Sequence, residues 1–275
     1  MRRILAIMAA ALLLVSAGPP VGQRISTRSE KLSDFRLKVT KVVLTGNAFQ
    51  DVALKEAVRN AWTITPYEFC SPEDFETLKT SGDYYFMLRT TDPSKPGISF
   101  LTVVKGGAKD VRNMMEVFSM PVGSEGATSG SEEFFLTALM GMMQENVEKG
   151  LDRAGVKLKS IAGGSGRLSK MKLYINSEDL APQVDEAFKA EGLGKDMYII
   201  DPYGAEDIIM SGAYDTAVSY VIAPEPPSKG SVCYKMLIDA RTHELLWLGK
   251  HTVRPGKKDA GFLKSDLRKF SSHRK

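Results

Sequence analysis

The chain has 275 residues, of which 43% are hydrophobic and 25% charged, with 24 glycines, 13 prolines and two cysteines. This composition excludes fibrous, disordered and disulfide-framework classes and leaves room for one large domain or two ordinary ones. The 37 basic and 33 acidic residues give a formal charge of +4, too little and too dispersed for the concentrated patch that nucleic acid or an anionic membrane demands.

Residues 1–17 place Arg2 and Arg3 before a run of twelve apolar residues, 4–15, followed by Ser16 and Ala17. Basic, apolar and small-residue regions in that order predict a secretory signal peptide, and the run is shorter than the roughly 20 residues of a spanning helix. Its removal leaves 35 basic against 33 acidic residues. No cysteine follows the run, which closes the lipoprotein route, and no transmembrane span is expected afterwards. A soluble periplasmic or extracellular protein is the expectation. The polar, Ser/Arg-rich segment 18–36 is expected to be flexible.

Sliding the sequence against itself by 130 positions brings residues 41–82 onto 171–212. Glu56-Ala57-Val58-Arg59 meets Glu186-Ala187-Phe188-Lys189, Pro72 meets Pro202, and Ser81-Gly82 meets Ser211-Gly212. In each copy a strand (39–45, 171–175) leads through a capping residue, Asn47 or Ser177, into a helix. A second strand ends at Ser71-Pro72 or Asp201-Pro202, where an oxygen-bearing cap and proline at the first helical position start a short helix. Both short helices are expected to stop at Ser-Gly with a left-handed glycine. Three β-rich runs follow in each copy: 84–88, 98–104 and 115–122 in the first, and 218–222, 232–238 and 244–253 in the second. A closing helix opens at Phe135-Leu136 and at Phe262-Leu263. The fold class expected is α+β: two tandem homologous βαβαβββα domains, each a small mixed sheet with helices packed on it, related by an approximate twofold. Domain 1 spans 37–155 and domain 2 spans 171–271, with a linker at 156–170 containing Gly163-Gly164-Ser165-Gly166 and a basic tail at 272–275.

The run Leu237-Ile238-Asp239-Ala240-Arg241-Thr242-His243-Glu244-Leu245-Leu246-Trp247 resembles a hairpin of bacterial envelope proteins. These are the amino-terminal domain of the Tol system propeller protein, the curli-secretion channel subunit and outer-membrane activators of peptidoglycan synthases. Their turn usually has glycine where this chain has His243. With Ala61-Trp62-Thr63-Ile64 and Pro66-Tyr67-Glu68-Phe69-Cys70, the full length resembles uncharacterised exported proteins of anaerobic gut and oral Gram-negative bacteria. The resemblance implies a domain that chiefly makes protein contacts.

Several chemistries lack their motifs. His243-Glu244 begins like a zinc-protease helix, but Trp247 stands where the second histidine belongs. In a regular strand His251 would lie about 26 Å from His243. Residues 163–170 lack the phosphate-loop order. Leu136, Met140, Met143, Val147 and Leu151 recur at helical spacing, so core packing accounts for the methionines before a Cu(I) site does. Glu132-Glu133 and Glu73-Asp74 suit helix starts. Cys70 and Cys233, far apart in sequence, form no framework pattern and are expected as thiols. Catalytic, cofactor and metal residues are therefore assigned to none. The candidate binding residues are the aromatics Trp62, Tyr67 and Trp247, each also at home in a core. The expected function is a non-catalytic envelope scaffold that binds a protein partner at a sheet edge or in a cleft between the repeats. The alternatives are a hydrolase of envelope or dietary glycan or peptide, and a small-ligand or metal carrier.

Overall fold

Among the described residues, ten strands form two mixed sheets of the same design. The computed structural model describes residues 32–125, 130–151 and 165–272. The signal peptide, most of segment 18–36, most of the linker and the end of the basic tail lie outside the described residues. In the first sheet β1 (Val39–Val43), β2 (Tyr67–Cys70), β3 (Tyr84–Thr91), β4 (Ile98–Lys105) and β5 (Met115–Ser124) are ordered β2-β1-β3-β4-β5. In the second, β6 (Lys172–Asn176), β7 (Met197–Ile200), β8 (Thr216–Ile222), β9 (Val232–Asp239) and β10 (Leu245–Thr252) are ordered β7-β6-β8-β9-β10. In both, the first strand pairs in parallel with the second and third, and the last two pairings are antiparallel.

The helices are α1 (Ala48–Ala61), α2 (Pro72–Leu78), α3 (Ser131–Leu151), α4 (Ser165–Leu168), α5 (Glu186–Glu191), α6 (Pro202–Ser211) and α7 (Lys264–Ser272). Their starts follow the sequence chemistry. Asn47 accepts from the Phe49 and Gln50 amides, Ser71 and Asp74 form a reciprocal capping box, and Asp201 accepts from the Gly204 amide. The expected left-handed stop holds for α6, whose cap Gly212 has φ +63°. It does not hold for α2, which already ends at Lys79 in right-handed conformation.

Register refines the alignment. Tyr67–Cys70 and Met197–Ile200 are equivalent at the 130-residue offset, but Thr40 pairs with Tyr67 where Leu173 pairs with Met197, so the first strands correspond at 133. Three residues are missing from the second connection. There the 14-residue α1 is replaced by a 3₁₀ turn, Ser177–Asp179, capped by Asn176 rather than Ser177, and the six-residue α5.

Strand alternation gives each sheet two buried faces. In unit 1, α1 and α3 cover the face carrying Val42, Tyr85 and Met87, while α2 packs Phe75 on the face carrying Val43, Phe86 and Leu88. In unit 2, α5 and α7 cover Leu173, Ile175 and Ala217, while Ala205 and Ile209 of α6 lie with Val218, Tyr220 and Ile222. The α6 face of sheet 2 joins the core of unit 1, so α3 is enclosed between the two sheets. Phe135 of α3 stacks on Tyr220 (centroids 4.5 Å, interplanar 14°), and the Tyr220 hydroxyl donates to the Val122 carbonyl at 2.7 Å. Gly97, at φ +78°, lies so close that an added Cβ would meet Pro224 at 2.6 Å. The units therefore stack in the same sense, the α1/α3 side of one on the α6 side of the next. A twofold would put like faces together, and the expected cleft between repeats is a filled core.

Both unit boundaries move outward. Leu32 and Phe35, placed by sequence in the flexible segment, are buried, and Phe35 meets Tyr85 edge-on at 4.7 Å. Leu168, placed in the linker, is buried in the second core. Cys70 and Cys233 are free and buried, and burial pushes each thiol up to about 11. No helix among the described residues is long and apolar enough to cross a membrane.

Candidate functional site

The three aromatic residues singled out from sequence are not brought together. Trp62 is 1% exposed inside the shared core, and its indole N–H donates to Thr65 Oγ1 at 2.8 Å. Tyr67 is half-buried on edge strand β2, its ring 5.6 Å from Phe69. Trp247 belongs to the other core, half-buried on β10 against Phe262 and Phe270 at 5.8 and 5.0 Å. Trp62 has no surface to offer a partner, and Trp247 lies on different elements from Tyr67.

The acid pair Glu132-Glu133 does find a spatial partner. Arg89 on β3 donates from Nη2 to both Glu133 carboxylate oxygens at 3.1 and 3.2 Å, and its Nη1 lies 3.6 Å from Glu132. The side chains of all three are no more than 13% exposed. Burial pushes Glu132 up to about 7 despite Arg89, with Glu133 adding to the rise, and burial likewise raises Glu133. A guanidinium-bound, closed-off pair at the unit junction holds α3 to sheet 1. It leaves no open side for a substrate. Among the described residues no group of three or more His, Cys, Asp and Glu side chains converges to hold a metal ion.

Large apolar side chains are exposed at Leu37, at Phe49 and Val52 on α1, at Phe134 on α3, and at Tyr198, Tyr203, Met210 and Tyr214 on or near α6. At about 100° per residue, Ala205 and Ile209 point to one side of this helix, and Tyr203, Asp207 and Met210 to the opposite side. The accessibilities agree: Ala205 and Ile209 are buried, while Tyr203 is 78% and Met210 67% exposed. Tyr214, just past the left-handed Gly212 that ends the helix, is 70% exposed. The Arg241 guanidinium, from the β9–β10 turn, stacks 3.7 Å from the Tyr214 ring centroid. That turn is held by Asp239, whose carboxylate accepts from the Arg241 and Thr242 amides at 2.9 Å each. Beside α6, on the same face of sheet 2, Tyr198 stacks on Tyr174 at 5.0 Å.

No protein-family model, curated protein or solved structure matches the chain. The site therefore rests on its own geometry. Exposed tyrosine and methionine on one side of α6, with a tyrosine–arginine contact beyond its end, are residue types that interface cores favour. Single exposed hydrophobics need no explanation, whereas neighbouring ones do. Sequence reading passed over Tyr203, Met210 and Tyr214. The spacing 203, 210, 214 against 205, 209 carried the signal, but both sets are apolar, so periodicity alone does not say which side faces the core.

Proposed function

We propose that this chain is a non-catalytic exported protein of the bacterial envelope that binds a protein partner through the exposed side of α6. The carrying observation is the Tyr203, Met210 and Tyr214 face, set on a helix whose other side is locked into the core shared by both units. The basic-apolar-small order of residues 1–17 supports export. His243 supports the envelope-domain resemblance: it adopts φ +59°, the left-handed conformation that favours the glycine usual in that turn. Acidic residues beside the face favour protein over nucleic acid, whose binding needs concentrated basic side chains.

A photo-crosslinking amino acid in place of Ser211, exposed at the end of α6 and outside the proposed contacts, tests this reading in intact cells. The expected result is one discrete, saturable protein adduct that Met210→Glu abolishes. Absence of any protein adduct, or adducts indifferent to Met210→Glu, would overturn it.

A further inference from the structure

We infer that the α6 face takes a Lys/Arg-rich segment of the partner, an inference that rests on the protein-binding reading above. Residues 201–215 carry Asp201, Glu206, Asp207 and Asp215 and no base, in a chain whose overall formal charge is +4. Asp201, Asp207 and Asp215 are exposed. His243 bonds the Ile209 backbone, and the basic side chains near the face include Arg241, committed to Tyr214, and Lys172, whose amide bonds the Asp215 carbonyl. Both border the Tyr214 end, so the acidic excess lies toward Tyr203.

The face already holds one cation in the manner proposed. Arg241 Cζ sits over the Tyr214 ring, 3.7 Å from its centroid, where a guanidinium is drawn to the negative face of an aromatic ring. Tyr203 presents a more exposed ring, with Asp207 one helical turn on and Asp201 two residues before. Among the described residues no cation or ring stacks on it. Asp201 accepts from the Gly204 amide at 2.9 Å, which offsets the positive helix start beside Tyr203.

Spacing narrows the segment. Tyr203 and Met210 are seven residues apart, about 10 Å along the helix axis. One three-residue turn of a polyproline II chain covers about 9 Å and returns its side chains to the same side. A lysine or arginine over Tyr203 and an aliphatic side chain over Met210, three positions apart on one side of a polyproline II segment, satisfy both contacts. Tyr214, with Arg241 upon it, closes the far end against a second cation.

Fluorescence anisotropy on the full chain tests this with three labelled peptides: an Arg-Ser-Ser-Leu repeat, its Glu-Ser-Ser-Leu counterpart and an Arg-Ser-Ser-Ser repeat. The first should bind at least about tenfold more tightly than either other, and weaken between about 0.05 and 0.5 M salt. Tyr203→Ala and Asp207→Asn should each weaken it by about fivefold or more with unchanged melting curves, because both side chains are exposed. Equal binding of the glutamate peptide, or Kd values within about twofold of the parent in both variants, overturns the inference. The position-211 crosslink separates the two readings. A protein adduct through an acidic or uncharged segment ends the cation reading alone, and no protein adduct ends both.

Discussion

Replacing Tyr220 tests whether the two units fold as one body. Its hydroxyl donates to the Val122 carbonyl at 2.7 Å, its ring stacks on Phe135 at 4.5 Å, and the residue is 7% exposed. Tyr220→Phe removes only the hydrogen bond and should cost about 1 kcal/mol. Tyr220→Ala also removes the stack, worth about 1 kcal/mol, and opens a cavity, for a total of about 4 kcal/mol. That is a large share of the roughly 5–15 kcal/mol that holds a domain folded. The chain's two tryptophans make the assay specific, since Trp62 lies in unit 1 and Trp247 in unit 2. Urea unfolding followed in Trp62→Phe and Trp247→Phe backgrounds reads each unit separately. The parent should give coincident midpoints and the Tyr220→Ala forms separated ones. Separate midpoints in the parent, or a Tyr220→Ala cost below about 1 kcal/mol, would refute the argument that the junction is a shared core.

Three further outcomes follow from the same packing. Gly97→Ala should destabilise by more than about 2 kcal/mol, since φ +78° and Pro224 both oppose a side chain, whereas Gly46→Ala, at φ +81° with nothing within 4 Å, should cost only about 1 kcal/mol by thermal melting. Arg89→Met strands two buried carboxylates and should cost about 3 kcal/mol at pH 8 in urea unfolding. Because burial raises Glu132 and Glu133, both protonate more readily in the fold, so that cost should shrink at pH 5; an equal cost at both pH values counts against the ion-triad reading. Burial pushes Glu116 up to about 8 from an ordinary 4.5, so its contribution to stability is intact below about pH 4.5 and is lost as pH rises through 8. Glu116→Gln should therefore flatten the fall in melting temperature between pH 5 and pH 9, and an unchanged slope would exclude the carboxyl as its source.

What sequence could show was local. The Ser71-Pro72 and Asp201-Pro202 starts act within one helical turn, and both formed as read. The strand runs also stood out, because buried β-rich segments are continuous in sequence. The three-residue difference between the first and second connections escaped, since the matched helix residues align without a gap while the strand partners that fix register lie more than twenty positions away. The packing of α6 on unit 1 escaped for a related reason. Ala205 and Ile209 are as apolar as Tyr203 and Met210, and only the arrival of α3 decides which pair is covered. Trp62, on the apolar stripe of its helix, lies in the core as its position there favoured, with Phe35 and Thr65 around it.

Front-to-back stacking has a consequence for how the chain ends. A twofold pair closes on itself, but a stack with unlike ends has no symmetry to stop it, as in solenoid arrays. Here the termination is written into the outermost helices. The outer side of α2 exposes Glu73, Asp74 and Glu76, and that of α7 exposes Arg268 and Lys269. These charged layers serve as end caps. The two sheet-plus-helix units thus present charged outer helices, and α6, an internal layer, still shows one side to solvent.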